Sequence, residues 1–280
     1  MNIDSYLEEK RKIIDKALLR YLPRPLGYSK ELVDAMRYSV LAGGKRIRPV
    51  LMLAIADIFG RPYKKVLQAA CAIEYAHTST LILDDLPCMD DSSFRRGRLS
   101  VHKKFGESTT ILAAYSLMVL SFELLAQNPK SIKCLSESIG ALGVCAGQFV
   151  DLKSGSKKID RKTLAYLHEH KTADLFVGSC LIAGHICDAR PAQLKALGRY
   201  AKYLGLAFQA YDDILSVKKT TKELGKETKK DKNSPNIMNL LGEETAKERI
   251  KSYLNKAEAA LSIFGTQAKT LIKIKGIFIC

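Results

Sequence analysis

The chain has 280 residues, 47% of them hydrophobic, with 45 basic against 29 acidic side chains for a formal charge of +16. This length spans one large domain or two average ones, and the composition supplies a core of ordinary size. Seven cysteines, odd in number and never spaced as CxxC, imply neither a disulfide framework nor a zinc site and fit a reducing, cytoplasmic setting.

Met1 to Lys10 is charged and has no apolar stretch, so no secretory leader is expected. Leu32, Ala35, Met36, Ser39 and Val40 then recur at helical spacing. Glu74, His77, Leu81, Asp84 and Asp85 form a stripe on a further helical run. Pro87 follows, which removes an amide and crowds the preceding turn. In an ideal helix Asp90 lies about a third of a turn off that stripe, so the disturbance at Pro87 decides whether it joins the other acids. Ile111 to Ala126 is the longest apolar stretch. Tyr115, Ser116, Ser121 and Glu123 interrupt it, which predicts a buried core helix and no stable insertion into a bilayer.

Leu181, Ile182, His185 and Ile186 continue the helical period. Gly205, Gln209, Asp212, Asp213 and Ser216 stand at i, i+4, i+7, i+8 and i+11, one polar stripe on an otherwise apolar helix. Lysines are densest from Lys218 to Lys232. No aromatics are interleaved there, so a solvated loop is expected and nucleic acid is not. Ile274 to Cys280 is an apolar tail of ambiguous type. Breaks fall at 23–27, 43–44, 60–62, 128–129, 154–156, 189–191 and 234–236, which cut the chain into about ten helical segments with short connections. The predicted fold class is all-α, a single-domain helical bundle over residues 1–280 whose central helices are apolar nearly all round.

Carboxylates gathered on apolar helices are costly unless something positive neutralises them. A hard divalent cation, magnesium above all, is the usual reason for such clusters. Arg95, Arg96 and Arg98 follow the first cluster directly and suit an anion. Together they suggest metal ions bridging to a phosphate-bearing substrate. His77, taken alone, reads more readily as a hydrogen-bonded core histidine than as a site residue.

These residues resemble the trans-type polyprenyl diphosphate synthases, collinearly along nearly the whole chain. Gly43-Gly44-Lys45-Arg46-Ile47-Arg48-Pro49 is similar to that family's GGKRxRP segment, and Asp84 to Asp90 to its DDxxxxD motif, with Arg95-Arg96-Gly97 after it. Lys171-Thr172 matches its KT pair, Gly205 to Asp213 its GxxFQxxDD helix, and Gly225-Lys226 its later glycine-lysine. The resemblance implies an all-α bundle around a deep cavity. It implies condensation of isopentenyl diphosphate with dimethylallyl or geranyl diphosphate to farnesyl, and by extension geranylgeranyl, diphosphate. A homodimer and three magnesium ions per active site are further expectations of the family.

By the same resemblance, Asp84, Asp85 and Asp90 hold metal on one wall and Asp212 with Asp213 on the other. Arg95, Lys171 and Lys226 grip the allylic diphosphate. Gly44, Lys45, Arg48, His77 and Arg96 hold isopentenyl diphosphate. Lys171, Thr172 and Gln209 face the allylic cation. Two departures stand out. Ser216 replaces the last acid of the usual DDxxD motif, which weakens support of a metal ion and leaves an inactive partner subunit as the alternative role. Ser79 and Thr80 stand where farnesyl-forming relatives commonly carry an aromatic, which opens the cavity floor toward twenty carbons, while the motif wording and compact length lean to fifteen.

Overall fold

The computed structural model describes residues 2–155, 159–218 and 236–278. Lys226 and the lysine run beyond Lys218 lie outside the described residues. Helix α1 (Ile3–Tyr21) starts where the Asn2 side chain accepts from the Asp4 amide at 2.9 Å. Helices α2 (Lys30–Val40), α3 (Ile47–Ile58) and α4 (Lys64–Asp84) follow. A two-residue antiparallel ribbon, β1 (Phe94–Arg95) and β2 (Arg98–Leu99), comes next. Its turn residues Arg96 and Gly97 both have positive φ, 53° and 75°, as a tight right-twisted hairpin demands. The predicted all-helical pattern did not include this ribbon, which is too short to show alternation.

Then come α5 (Val101–Phe105), α6 (Glu107–Leu125), α7 (Pro129–Ile139), α8 (Val144–Ser154) and α9 (Arg161–Leu167). Helix α7 begins at the predicted break, with Asn128 accepting from the Ser131 amide and Pro129 at the first position. A π-helical turn, His168–Ala173, joins α9 to α10 (Asp174–Ile186). Helix α11 (Pro191–Lys218) starts at the next predicted break. The chain ends through α12 (Ile237–Leu241), α13 (Glu243–Ala260), a 3-10 stretch Ser262–Ala268, α14 (Lys269–Ile274) and a last 3-10 turn, Lys275–Phe278, so the ambiguous tail is helical as far as it is described.

Helices α3 and α10 form the middle of the bundle, packed against α4, α11 and each other. Every residue of α3 except Asp57 is buried, as an apolar-all-round helix requires. Helix α6 departs from expectation. Its inner side packs on α4, but Ile111, Leu112, Tyr115 and Val119 are 48–69% exposed. By length and composition it is also apolar enough to cross a membrane. The sequence stretch is therefore neither fully buried nor too polar: its scattered hydroxyls lower hydropathy little, and a residue's period does not say what covers its outer face.

Arg46 fixes the entry to α3. It adopts a left-handed conformation (φ 50°) directly before the helix. Its buried guanidinium donates to Glu74 at 2.6 Å, Asp15 at 2.9 Å and the Val40 carbonyl at 2.6 Å, joining α1, α2, α3 and α4. Both partners of the Arg46–Glu74 pair are almost wholly dry, with side-chain exposures of 1% and 3%. Arg46→Ala is expected to lower stability by about 3–5 kcal/mol, since it strands a buried carboxylate. Urea unfolding of the variant checks this; a loss under about 1 kcal/mol would show that the pair is not desolvated.

Candidate active site

Helix α4 stops at Asp84, so Pro87 lies beyond its end rather than within it. The chain then folds tightly back: the Asp90 amide donates to the Asp84 carbonyl at 2.9 Å, and the Met89 and Asp91 amides both donate to Leu86 at 2.9 Å. This loop, not a kinked helix, brings Asp90 beside Asp84. Burial pushes the Asp84 carboxyl up to about 6, with Lys171 pulling it down and Asp90 pushing further up. Asp90 is raised for the same first reason, burial, and is likewise opposed by Lys171. Asp85 points elsewhere. Arg95 forks onto it, Nε reaching its two oxygens at 2.8 and 2.7 Å and Nη2 reaching Oδ1 at 2.6 Å.

Helices α3 and α4 and the ribbon turn supply a second, cationic zone. The Arg48 guanidinium lies 4.4 Å from the Phe176 ring centre, and its Nη1 stands 3.4 Å from His77 Nε2. Burial lowers Arg48 to about 10, against a partial counter-pull from Glu74. Burial, then Arg48, Arg96, Arg95 and Arg46, drive His77 far below the usual imidazole range, so His77 is neutral. Arg96 is lowered too, chiefly by burial. It donates to the Gly43 carbonyl and lies against Gly44, where a Cβ would come 2.9 Å from its Nη2. Lys45 is exposed at the edge of this zone, 5.9 Å from the Phe208 ring centre. Glu74 is committed to Arg46, and neither Arg48 nor Arg96 hydrogen-bonds a carboxylate among the described residues. The Arg48 Nε is buried with no partner at all.

The π-helical turn connects the two acidic helices. Lys171 reaches Asp151 of α8 at 2.5 Å, and its neighbour Thr172 turns the other way and donates to Gln209 Oε1 at 2.5 Å. Burial works against the Lys171 ammonium, but Asp151, Asp84 and Asp90 outweigh it and raise its pKa. Two helices press on this turn where they carry no side chain. A Cβ on Gly147 would come 2.3 Å from the Lys171 amide nitrogen, and one on Gly205 2.7 Å from the Ala173 Cα. Along α11, Gln209 Nε2 donates to Asp213 Oδ1 at 2.7 Å. Asp213 Oδ2 also accepts from the Ile237 amide at 2.8 Å and lies 3.1 Å from His168 Nε2. Asp212 is half-buried on the same helix. The Ser216 hydroxyl donates to the Asp213 carbonyl at 2.9 Å, inside its own helix.

The structure thus joins Asp84, Asp90 and Lys171; Thr172, Gln209 and Asp213; Asp85 and Arg95; and Arg48, His77, Arg96 and Gly44. Lys226 lies outside the described residues. Two residues of α8 escaped sequence reasoning: Asp151, which holds Lys171, and Gln148, whose amide is buried without a partner. The available signal was a polar pair at i, i+3 in the apolar run from Val144 to Leu152. Among the described residues no three His, Cys, Asp or Glu side chains form a ready metal cage. Asp84 and Asp90 offer a half-buried, cation-seeking carboxylate pair, which fits magnesium, an ion that commonly takes one or two protein carboxylates and completes its shell with water and phosphate.

Residues 29–264 match the model of the polyprenyl synthetase family. The chain belongs to that family. It is 38% identical to geranylgeranyl pyrophosphate synthase 4 of Arabidopsis thaliana over 96% of this chain and 75% of that one. It is 36% identical to a dimethylallyltranstransferase of Fischerella ambigua, over 98% and 82%. Its fold superposes with a TM-score of 0.89 on an FPP/GFPP synthase of Zymomonas mobilis, 31% identical, covering 100% and 99% of the two chains. A geranyltransferase of Helicobacter pylori, solved with magnesium and isoprenyl diphosphate, gives 0.87 at 29% identity over 99% and 96%. This polyprenyl synthetase is accordingly an all-α, short-chain trans-prenyltransferase of isoprenoid biosynthesis, and a non-catalytic partner role is not favoured.

Two expectations follow from the site's geometry. The folded chain binds the Asp84 proton more tightly than the unfolded chain, whose carboxyl sits near 3.8, so folded stability falls as pH rises from about 4 through about 6. In chelator, Asp84→Asn should therefore melt above the parent at pH 7 and converge with it below pH 4; a pH-independent gap would contradict the desolvation of Asp84. Gly147→Ala should destabilise by about 1–3 kcal/mol, because the added methyl meets backbone, and should lower turnover by displacing Lys171. Unaltered melting and rate would show that α8 can recede from the turn.

Proposed function

We propose that the enzyme condenses isopentenyl diphosphate with dimethylallyl and geranyl diphosphate to give farnesyl diphosphate, and extends this to geranylgeranyl diphosphate. The allylic C1–O bond breaks and pyrophosphate leaves with the electron pair. The isopentenyl double bond attacks C1, and the proton then lost passes to the released pyrophosphate. Magnesium, expected as three ions held by Asp84, Asp90 and Asp212, supplies the Lewis acidity that neutralises the departing pyrophosphate. Asp85 serves this wall by aiming Arg95 at the allylic diphosphate, and Asp151 by aiming Lys171. Lys226 is assigned to the same diphosphate. The Gln209 oxygen and the Lys171–Thr172 turn offer fixed negative dipoles to the allylic cation without capturing it.

The observation that carries this reading is the buried guanidinium of Arg48, with no carboxylate partner and an unpartnered Nε. A buried cation left this way calls for an anion, and the diphosphate of isopentenyl diphosphate answers it together with Lys45, Arg96, the Gly44 backbone and a neutral His77. Arg48→Met should raise the KM for isopentenyl diphosphate at least tenfold while leaving calorimetric binding of geranyl diphosphate within about twofold. An unchanged isopentenyl KM would remove Arg48 from that site. Incubation with isopentenyl and dimethylallyl, geranyl or farnesyl diphosphate, read by mass spectrometry, tests product length. Ser79, buried on α4 with its hydroxyl on the Ala114 carbonyl at 2.7 Å, favours the longer chain by being small.

We also propose a homodimer built on α6 and α8. The exposed apolar face of α6 supports this, as does a second exposed apolar stripe, Cys145, Phe149 and Leu152 of α8, with Leu142 in the turn just before that helix. Docking on a second copy, rather than lipid, explains an exposed face that carries Tyr115 at its centre. Tyr115→Asp with Phe149→Asp should halve the mass seen by light scattering; a monomeric parent would overturn the assignment. The six cysteines described are all free, which supports a cytoplasmic location.

A further inference from the structure

Asp213 is a junction rather than an open ligand. Two amide donors from separate segments meet its carboxylate, the Gln209 side chain of α11 at 2.7 Å and the Ile237 backbone amide at the start of α12 at 2.8 Å, and His168 Nε2 of the π-helical turn lies 3.1 Å from the same carboxylate. Asp213 and His168 are both buried, at 6% and 7% exposure. A carboxylate only accepts, so the Gln209 contact dictates which way its amide faces. Gln209 must turn its NH2 toward Asp213, and its carbonyl oxygen then meets the Thr172 hydroxyl at 2.5 Å. The orientation of the Gln209 amide is therefore set one residue further out.

We infer that His168 and Asp213 are positioning residues: together they lock the Gln209 amide with its oxygen, not its NH2, on the Lys171–Thr172 side of the site. This rests on the proposed reaction, in which that oxygen faces the allylic cation. An amide turned by 180° would present N–H dipoles to a positive charge, the wrong sign for stabilising it. The Ile237 contact ties the same lock to the segment that enters α12, so the chain following residues 219–235 is anchored on the helix carrying Asp212.

The test is a double-mutant cycle on the full-length enzyme. His168→Phe keeps the ring's bulk and removes the nitrogen beside Asp213; His168→Gln restores a polar nitrogen there; Gln209→Leu removes the group to be oriented. His168→Phe is expected to lower kcat about tenfold, to leave both substrate KM values within about twofold, and to raise the share of allylic alcohol among the products. His168→Gln should recover most of the rate. In the Gln209→Leu background, His168→Phe should cost nothing further. An unchanged kcat and alcohol share in His168→Phe would overturn the inference. So would an equal loss in the Gln209→Leu background, which would mean that His168 acts through packing alone. If His168→Phe does not fold, Asp213→Asn runs the same cycle: its amide can donate as well as accept, so it should raise the alcohol share, and an unchanged share overturns the lock. A parent enzyme that forms no elongated product would sink the proposed function instead, and the two failures are told apart by that control.

Discussion

The structure turns on how one acid is shared among several buried cations. Glu74 sits between the guanidinium groups of the α3 entry, and Arg46 takes it at 2.6 Å. Arg48, two residues later, is buried without a carboxylate of its own. A desolvated cation in that position is unfavourable by several kcal/mol in the empty protein, and an arriving polyanion relieves exactly that imbalance in kind if not in amount. The opposite imbalance stands across the bundle, where burial holds Asp84 and Asp90 above the usual carboxylate range and one ammonium, Lys171, offsets them. Under the proposed function, substrates and metal supply the charge that each zone lacks.

The π-helical turn converts this charge separation into geometry. In an ordinary helix consecutive side chains diverge by about 100°, and neighbours on one face stand three or four residues apart. Here Lys171 addresses α4 and α8 while Thr172 addresses α11, so adjacent residues link the two acidic helices. A π turn widens the backbone and is tolerated only where the surroundings hold it. Gly147 and Gly205 provide the hold, each bringing a neighbouring helix closer to the turn than any side chain would permit. The glycine at the head of the second acidic stripe is thus there for packing, while the acids that follow serve the site.

The fold class, the breaks at Asn128-Pro129 and Arg190-Pro191, and the cationic and acidic runs were legible because charge and turn chemistry are local properties. How like residues divide their roles was not. Asp84 and Asp85 are adjacent in sequence, yet one faces Lys171 and the other is forked by Arg95. Arg46 and Arg48 are two residues apart, yet one is structural and the other unpaired. Such divisions depend on which element packs opposite, which no period encodes. Helix α6 failed for the related reason that apolar residues on an outer face look in sequence like core. Asp151 was missed because a single acid in an apolar run carries no motif by itself.

The second acidic helix shows how far a motif's residue types can outlive their presumed use. Of its polar stripe, Gly205 provides close packing, Gln209 and Asp213 hold one another, and the Ser216 hydroxyl returns to its own backbone. A serine at the last position therefore leaves no buried polar atom wanting a partner, whereas an aspartate there would add a charge at a site only 7% exposed. Whether that charge would be tolerated depends on a counter-cation within reach, since an isolated buried carboxylate is strongly disfavoured. The serine thus fits an internally satisfied helix, in which Asp213 fixes the Gln209 amide, and the proposed function leaves the electrostatic demand of this wall to Asp212.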